Sequence, residues 1–188
     1  LVVHLPSRSG GAKESEPYRL YVAHILRTEV DSIMNIRSHP QAIIMGDFND
    51  YPTNQSILKI LKAEAPPVKT NDLASATDSA NASTVTPSSL KLYHLLARKA
   101  KSKNFGSYKF RGEWGLLDHL IVSCTLLNQS NHFFTSEEKA NVCLLPFLLK
   151  DDEKYGDKEP FRTYKGMKYQ GGISDHLPIY TDFELIVY

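Results

Sequence analysis

The sequence predicts a layered α/β fold, and three observations carry that reading. A strand–helix–strand unit opens the chain, with residues 2–5 reading as the end of a buried strand, 18–39 as a helix and 41–45 as a second strand. Tyr18, Val22, Ile25, Leu26, Val30, Ile33 and Ile36 recur at a period near 3.6 residues, and Pro40 closes the helix. Several short apolar or β-branched runs then follow with turn signals between them, as strands require. Such alternation calls for helices packed on a sheet.

The run Ala42, Ile43, Ile44, Met45 stops abruptly at Gly46, and Asp47, Phe48 and Asn49 come next. In an extended backbone side chains alternate between faces, so Asp47 and Asn49 are expected to point one way and Phe48 into the core. Two hard oxygen ligands then sit side by side at a strand end, as a magnesium ion and a phosphate oxygen require. Pro52 cuts the strand and forces a loop. Residues 54–62 read as a shorter helix with Thr53 or Asn54 as cap. Residues 63–89, with Pro66, Pro67 and a tract rich in Ser, Thr, Ala and Asn, read as a surface excursion.

Residues 90–101 look helical, with a basic tail suited to a helix carboxyl end. Residues 106–123 read as a hairpin: a strand over 107–111, a turn at Gly112 and Glu113, and a strand over 116–123. In the second strand Asp118 stands inside an apolar run, and a buried carboxylate needs a partner; His176 is the candidate. His119 alternates with Asp118 and should face away from it. Residues 131–134 and 141–145 suggest two short strands, 151–158 a charged surface loop, and 161–169 a lead into Gly171, Gly172 and the Ser174, Asp175, His176 loop. Residues 180–187 are expected to close the sheet.

At 188 residues the chain suffices for one domain spanning 1–188, and 41% apolar content is ordinary for a globular protein. A net charge of +1, from 22 basic and 21 acidic residues, lacks the basic excess of proteins that hold long duplexes. The local cluster of Arg98, Lys99, Lys101, Lys103, Lys109 and Arg111 reads first as a solvated helix end and loop. Cys124 and Cys143 have no metal spacing and form no disulfide framework; one bridge and two buried thiols both stay open. No apolar run reaches membrane-spanning length. A nucleophile elbow, a phosphate loop, a zinc-protease helix and paired Cys-x-x-Cys are all missing from the sequence.

Four stretches converge on one family pattern: Val3 to Gly11, with His4, Ser7 and Arg8; Gly46, Asp47, Phe48, Asn49; Leu117, Asp118, His119; and Ser174, Asp175, His176. In this order they resemble the endonuclease/exonuclease/phosphatase superfamily, whose members include deoxyribonucleases, abasic-site endonucleases, sphingomyelinases and inositol-polyphosphate phosphatases. The resemblance implies a four-layer α/β sandwich, two packed sheets flanked by helices with the site at the strand ends. It also implies metal-dependent phosphoester hydrolysis. His176, oriented by Asp118, would activate or position water; Asp47 and Asn49 would orient that water and bind the phosphoryl oxygens. Asp175, Asp47 and Asn49 would be metal ligands for Mg²⁺, with Mn²⁺ as the alternative. His4 would stabilise or protonate the leaving side, in keeping with an imidazole poised near neutrality. Arg8 and Ser7 would meet the phosphate, and Tyr108 and Trp114 would wall the substrate pocket.

The resemblance begins in mid-pattern: the metal-binding Glu and an Asn that family members carry earlier have no counterpart here. The chain opens on Leu1 and is expected to be a fragment, poorly stable alone or tightly associated, binding metal weakly and turning over slowly. The expected partner is a phosphoester, whether nucleic acid, nucleotide or other small phosphodiester, with no obligate protein partner implied. Phosphodiesterase or nuclease action is the leading reading. A phosphomonoesterase, a lipid phosphodiesterase and an inactive binding module are the alternatives, and the compartment stays open.

Overall fold

The structure is a computed structural model and describes residues 1–67 and 91–187. Its centre is a five-stranded mixed sheet built from β1 (Val2–His4), β2 (Ile43–Asp47), β3 (Ala63–Glu64), β4 (Leu92–His94) and, further on, the longest strand, Asp118–Ser123. Two short strands intervene, β5 (Tyr108–Phe110) and β6 (Glu113–Gly115), which makes Asp118–Ser123 β7. The sheet order is β1-β2-β7-β4-β3. β1 lies parallel to β2, β7 runs antiparallel to both β2 and β4, and β3 is parallel to β4.

The central pair, β2 and β7, explains the layers. Ile44 faces Ile121 across the ladder, and both belong to a core shared with helix α1 (Glu16–Asn35). Their neighbours Ile43, Met45, Leu120 and Val122 point to the opposite face, into a second core with Leu95, Leu116, Val142 and Leu177. One face is therefore covered by α1 and the π-helical turn Ser56–Leu61. The other is covered by small ladders. β8 (Phe133–Phe134) pairs with β15 (Glu184–Leu185), and β9 (Ala140–Val142) pairs with β14 (Ile179–Thr181). Two hairpins complete the periphery: β10 (Leu149–Asp151) with β11 (Lys158–Pro160), and β12 (Tyr164–Lys165) with β13 (Lys168–Tyr169). The α/β class and its layered packing agree with the sequence reading.

Several element readings are corrected. α1 starts with Pro17 in its first turn, where a missing N–H costs nothing, and ends at Asn35, short of Pro40. Its buried stripe is Arg19, Ala23, Leu26, Val30 and Met34, while Tyr18, Ile25, Ile33 and Ile36 are solvent-facing. Counting apolar residues rotated the face, because the helix buries a charged residue, Arg19, that pattern counting assigns to solvent. β1 is a sheet edge with Val2 82% exposed, and only Leu5 beyond it is buried. Residues 92–94 form a strand because β7 offers them a ladder, and only Lys99–Lys101 makes a short 3₁₀ turn. Pairing with β7 overrides the helical propensity of this segment.

The hairpin is β5–β6, turning at Arg111 and Gly112, whose φ values of 51° and 87° are those of a tight two-residue turn. β7 is not its second arm. Neither Thr53 nor Asn54 caps a helix through its side chain, since Ser56–Leu61 has no side-chain cap. Residues 180–187 split into β14 and β15 and join the small ladders instead of the main sheet. Of the expected surface excursion, residues 63 and 64 form β3, and 68–89 lie outside the described residues.

The basic cluster also dissolves. Arg98 pairs with Glu137, and Lys109 is buried against Asp152 at 3.1 Å, so the 151–158 loop is anchored at its buried Asp152. Lys109 Nζ further donates to the carbonyls of Gly156 and Lys158 at 2.8 and 3.0 Å. No disulfide joins Cys124 and Cys143.

Candidate active site

β2 and β7 end together. Asp47 is the last residue of one and Asp118 the first of the other, and their Cα atoms are partners in the ladder. Two carboxylates directly opposite each other repel, so a cationic group is needed between or beside them. His176 brings an imidazole N–H beside them from the loop before β14. Its Nδ1 lies 2.6 Å from Asp118 Oδ2, and one ligand atom from each of Asp47, Asp118 and His176 falls within 4.8 Å of the others. Because a carboxylate only accepts, Nδ1 carries the proton, and Nε2 is the nitrogen left to act on a water.

The loop holding His176 is pinned from both sides. Leu177 N donates to Ser107 O at 2.7 Å, and Tyr108 bridges to His176 through the backbone while its ring centroid sits 4.9 Å from the imidazole. Ser107 Oγ donates to the same Asp118 Oδ2 that His176 uses. Ser107, completely buried, is a site residue that the sequence reading missed, and no motif around it gave a signal.

Electrostatics follow from this packing. Burial alone would lower the His176 pKa, but the hydrogen bond and charge of Asp118, with the charges of Asp47 and Asp175, carry it above the ordinary 6.5. Burial also raises Asp47 above 3.8, and the charge of Asp118 adds to it; the amide of Asn49 and the imidazoles of His176 and His4 pull the other way.

His4 ends β1 beside this group, exposed, with Nε2 3.6 Å from Asp47 Oδ2. Asn49 is not in extended backbone: its φ is 50°, so alternation along a strand does not place it. It meets Asp47 by folding back, its backbone N–H donating to Asp47 Oδ1 at 2.7 Å and its Nδ2 to Asp47 Oδ2 at 3.2 Å and Leu5 O at 3.0 Å. Phe48 is buried as expected.

The structure gathers His4, Asp47, Asn49, Asp118, His176 and Tyr108, but not the remaining expected residues. Asp175 is exposed and outside the close trio, reaching it only through its charge on His176. Ser7 is exposed, its Oγ accepting from Ser9 N at 3.3 Å. Arg8 turns inward: Nε donates to Asn49 O at 2.7 Å, and Nη2 to Asp50 and Asn54. Trp114 pairs in register with Lys109, and so lies on the other face of the hairpin from Tyr108, packed against the second core. His119 faces away from Asp118, fully buried and stacked on Phe48 at 4.9 Å.

As a cation site the cluster offers hard carboxylate oxygens from Asp47 and Asp118. Magnesium is commonly held by one or two carboxylates, with waters and phosphate oxygens completing its octahedron. The donor set fits that pattern, with Asp118 Oδ2 already committed to His176 and Ser107.

A five-stranded sheet thus ends in paired aspartates, with a histidine buttressed by one of them. The sequence matches the Endonuclease/Exonuclease/phosphatase family over residues 1–185, and the chain belongs to that family. Among solved structures it is similar to an endonuclease/exonuclease/phosphatase family protein from Bacteroides thetaiotaomicron, at 17% identity and a TM-score of 0.40. That match covers 87% of this chain, which spans 44% of the other protein's length. No curated protein matches.

Proposed function

We propose that this chain carries the water-activating part of a divalent-metal-dependent phosphoester hydrolase, of the phosphodiesterase or nuclease type. The observation that supports it is the Asp118–His176 pair set within 4.8 Å of Asp47, in a chain of this family. His176 Nε2 takes a proton from a water molecule as that water attacks phosphorus. Asp118 holds Nδ1 and favours the imidazolium that forms, the logic of hydrolytic triads. Ser107 fixes Asp118, and Tyr108 fixes the ring. Asn49 holds both oxygens of Asp47 toward the reacting centre. His4, beside Asp47 and open to solvent, donates a proton to the departing oxygen. Asp47 would hold a divalent ion, Mg²⁺ or Mn²⁺, which would supply Lewis-acid neutralisation of the phosphoryl charge.

The test is hydrolysis of bis-p-nitrophenyl phosphate against the monoester, with Mg²⁺ and with EDTA. Diester turnover with Mg²⁺ that EDTA abolishes is expected, and preference for the monoester would select a phosphomonoesterase. His176→Ala should reduce kcat by about 10²–10⁴-fold, the range of a lost general base; a variant as active as the wild type removes the assigned role.

A further inference from the structure

We propose that Asp50, buried between two arginines, is the positioning residue of the site: it holds the left-handed turn at Asn49 that locks Asp47 opposite Asp118. Only the catalytic arm of this inference rests on the phosphoesterase reading.

Asp50 is 1% exposed, yet it carries a carboxylate. Arg19 Nε, reaching in from α1, lies 2.8 Å from Oδ1, and Arg8 Nη2 lies 3.4 Å from the same oxygen. Ser56 Oγ donates to Oδ2 at 2.6 Å. The carbonyl of Asp50 accepts from His119 Nε2 at 2.9 Å, the residue next to Asp118 on β7. Arg19 is itself held, its Nη1 donating to Ser15 Oγ and its Nη2 to Ala12 O, both at 2.7 Å. Through its side chain Asp50 thus ties together the loop after β1, helix α1 and the π-helical turn, and through its carbonyl the central strand.

What these ties surround is a strained backbone. Asn49 has φ 50°, a conformation that needs support at a residue with a side chain. Its support comes from the same group: Arg8, beside Asp50, also donates Nε to Asn49 O at 2.7 Å. If the Asn49 turn opened, Asp47 would lose two hydrogen bonds, from the Asn49 backbone and side-chain nitrogens. Burying an ion pair is a poor way to gain stability compared with apolar packing, but it fixes geometry. A carboxylate set between two guanidinium groups and accepting from Ser56 Oγ is suited to holding a loop in one conformation.

The experiment separates positioning from stability. In Arg19→Met/Asp50→Leu the charges are exchanged for apolar bulk; Ser56→Ala removes a single donor and keeps the pair. Each is measured for urea stability, for hydrogen exchange at the Asn49 amide with Ile44 and Ile121 as sheet controls, and for kcat and KM. In the double variant the Asn49 amide should exchange roughly tenfold faster, the equivalent of about one lost hydrogen bond, while Ile44 and Ile121 keep wild-type protection. Its kcat should fall about 10²-fold, the cost of a small misplacement of a reacting group, with KM little changed. Ser56→Ala should move both readouts in the same direction by less. Unchanged Asn49 exchange in both variants overturns the proposal. So does faster exchange with kcat intact in an active wild type, or a kcat loss that tracks lost urea stability. Should wild type be inert on the diester while Asn49 still loses protection, positioning stands and the phosphoesterase reading falls.

Discussion

Acidification from pH 7 to pH 4 is a direct probe of the imidazoles buried behind the central strand. His119 and His94 are both fully buried, their ring centroids 4.6 Å apart. Burial lowers the His119 pKa from 6.5 to about 4, with the Asp50 carbonyl and the charge of Asp118 opposing it in part. A histidine depressed in the fold must take up a proton on unfolding, so the unfolded chain binds more protons between those values, and stability is lost as pH falls. From 6.5 to about 4, at roughly 1.4 kcal/mol per unit, His119 alone withdraws about 3 kcal/mol.

His94, lowered by burial and by the charge of His119, acts in the same direction. Asp47 acts oppositely. Its folded pKa is raised above 3.8, so its contribution is present below that value and lost as pH rises through the folded one. The assay is urea unfolding followed by the fluorescence of Trp114, the chain's single tryptophan, at several pH values, in wild type and His119→Phe. At pH 7 the variant should be less stable by about 1 kcal/mol, because the Asp50 carbonyl loses its donor. By pH 4 the difference should have moved in the variant's favour by about 3 kcal/mol, the amount worked out above. Parallel stability curves for the two proteins across this range would refute a neutral buried His119.

Two further outcomes follow from packing. Gly46→Ala should destabilise the chain by about 1–3 kcal/mol, since at φ 136° an added Cβ would lie 1.9 Å from the Val3 carbonyl oxygen of β1; the urea midpoint measures it. Lys109→Met should cost about 3–5 kcal/mol by leaving Asp152 buried without its cation, and equilibrium unfolding with an unchanged m-value would check it.

The acids and imidazoles that the structure gathers were legible because short motifs name them: Gly46 to Asn49, Asp118 in an apolar run, and Ser174 to His176 each stand out in the linear sequence. The alternation rule also placed His119 and Phe48 correctly. It failed at Asn49, where a positive φ ends the extended backbone, although the side chain still arrives at Asp47. Arg8 turns to Asn49, Asp50 and Asn54, and an arginine in a Gly-rich loop offers the same sequence pattern whether it meets a phosphate or a buried carboxylate. Asp50 meets Arg19 as well, and a charged residue on a helix's inner stripe is invisible to hydrophobic counting. Ser107 and Trp114 depend on which face of a three-residue strand points where, and a register that short is set by the turn at Arg111 and Gly112. The strand at 92–94 exists because β7 pairs with it, a tertiary cause with no local trace.

Asp47 and Asp118 meet across one ladder, while Tyr108 and His176 meet across a single bridge. Each of these encounters closes a large loop of chain, and loop closure must be complete before its contacts reward it. His4, Asp47 and Asn49 come from the first 49 residues, while Tyr108, Asp118 and His176 are spread over the rest of the chain. A partly folded chain therefore does not assemble the cluster of Asp47, Asp118 and His176, which is complete only once the loop before β14 has docked.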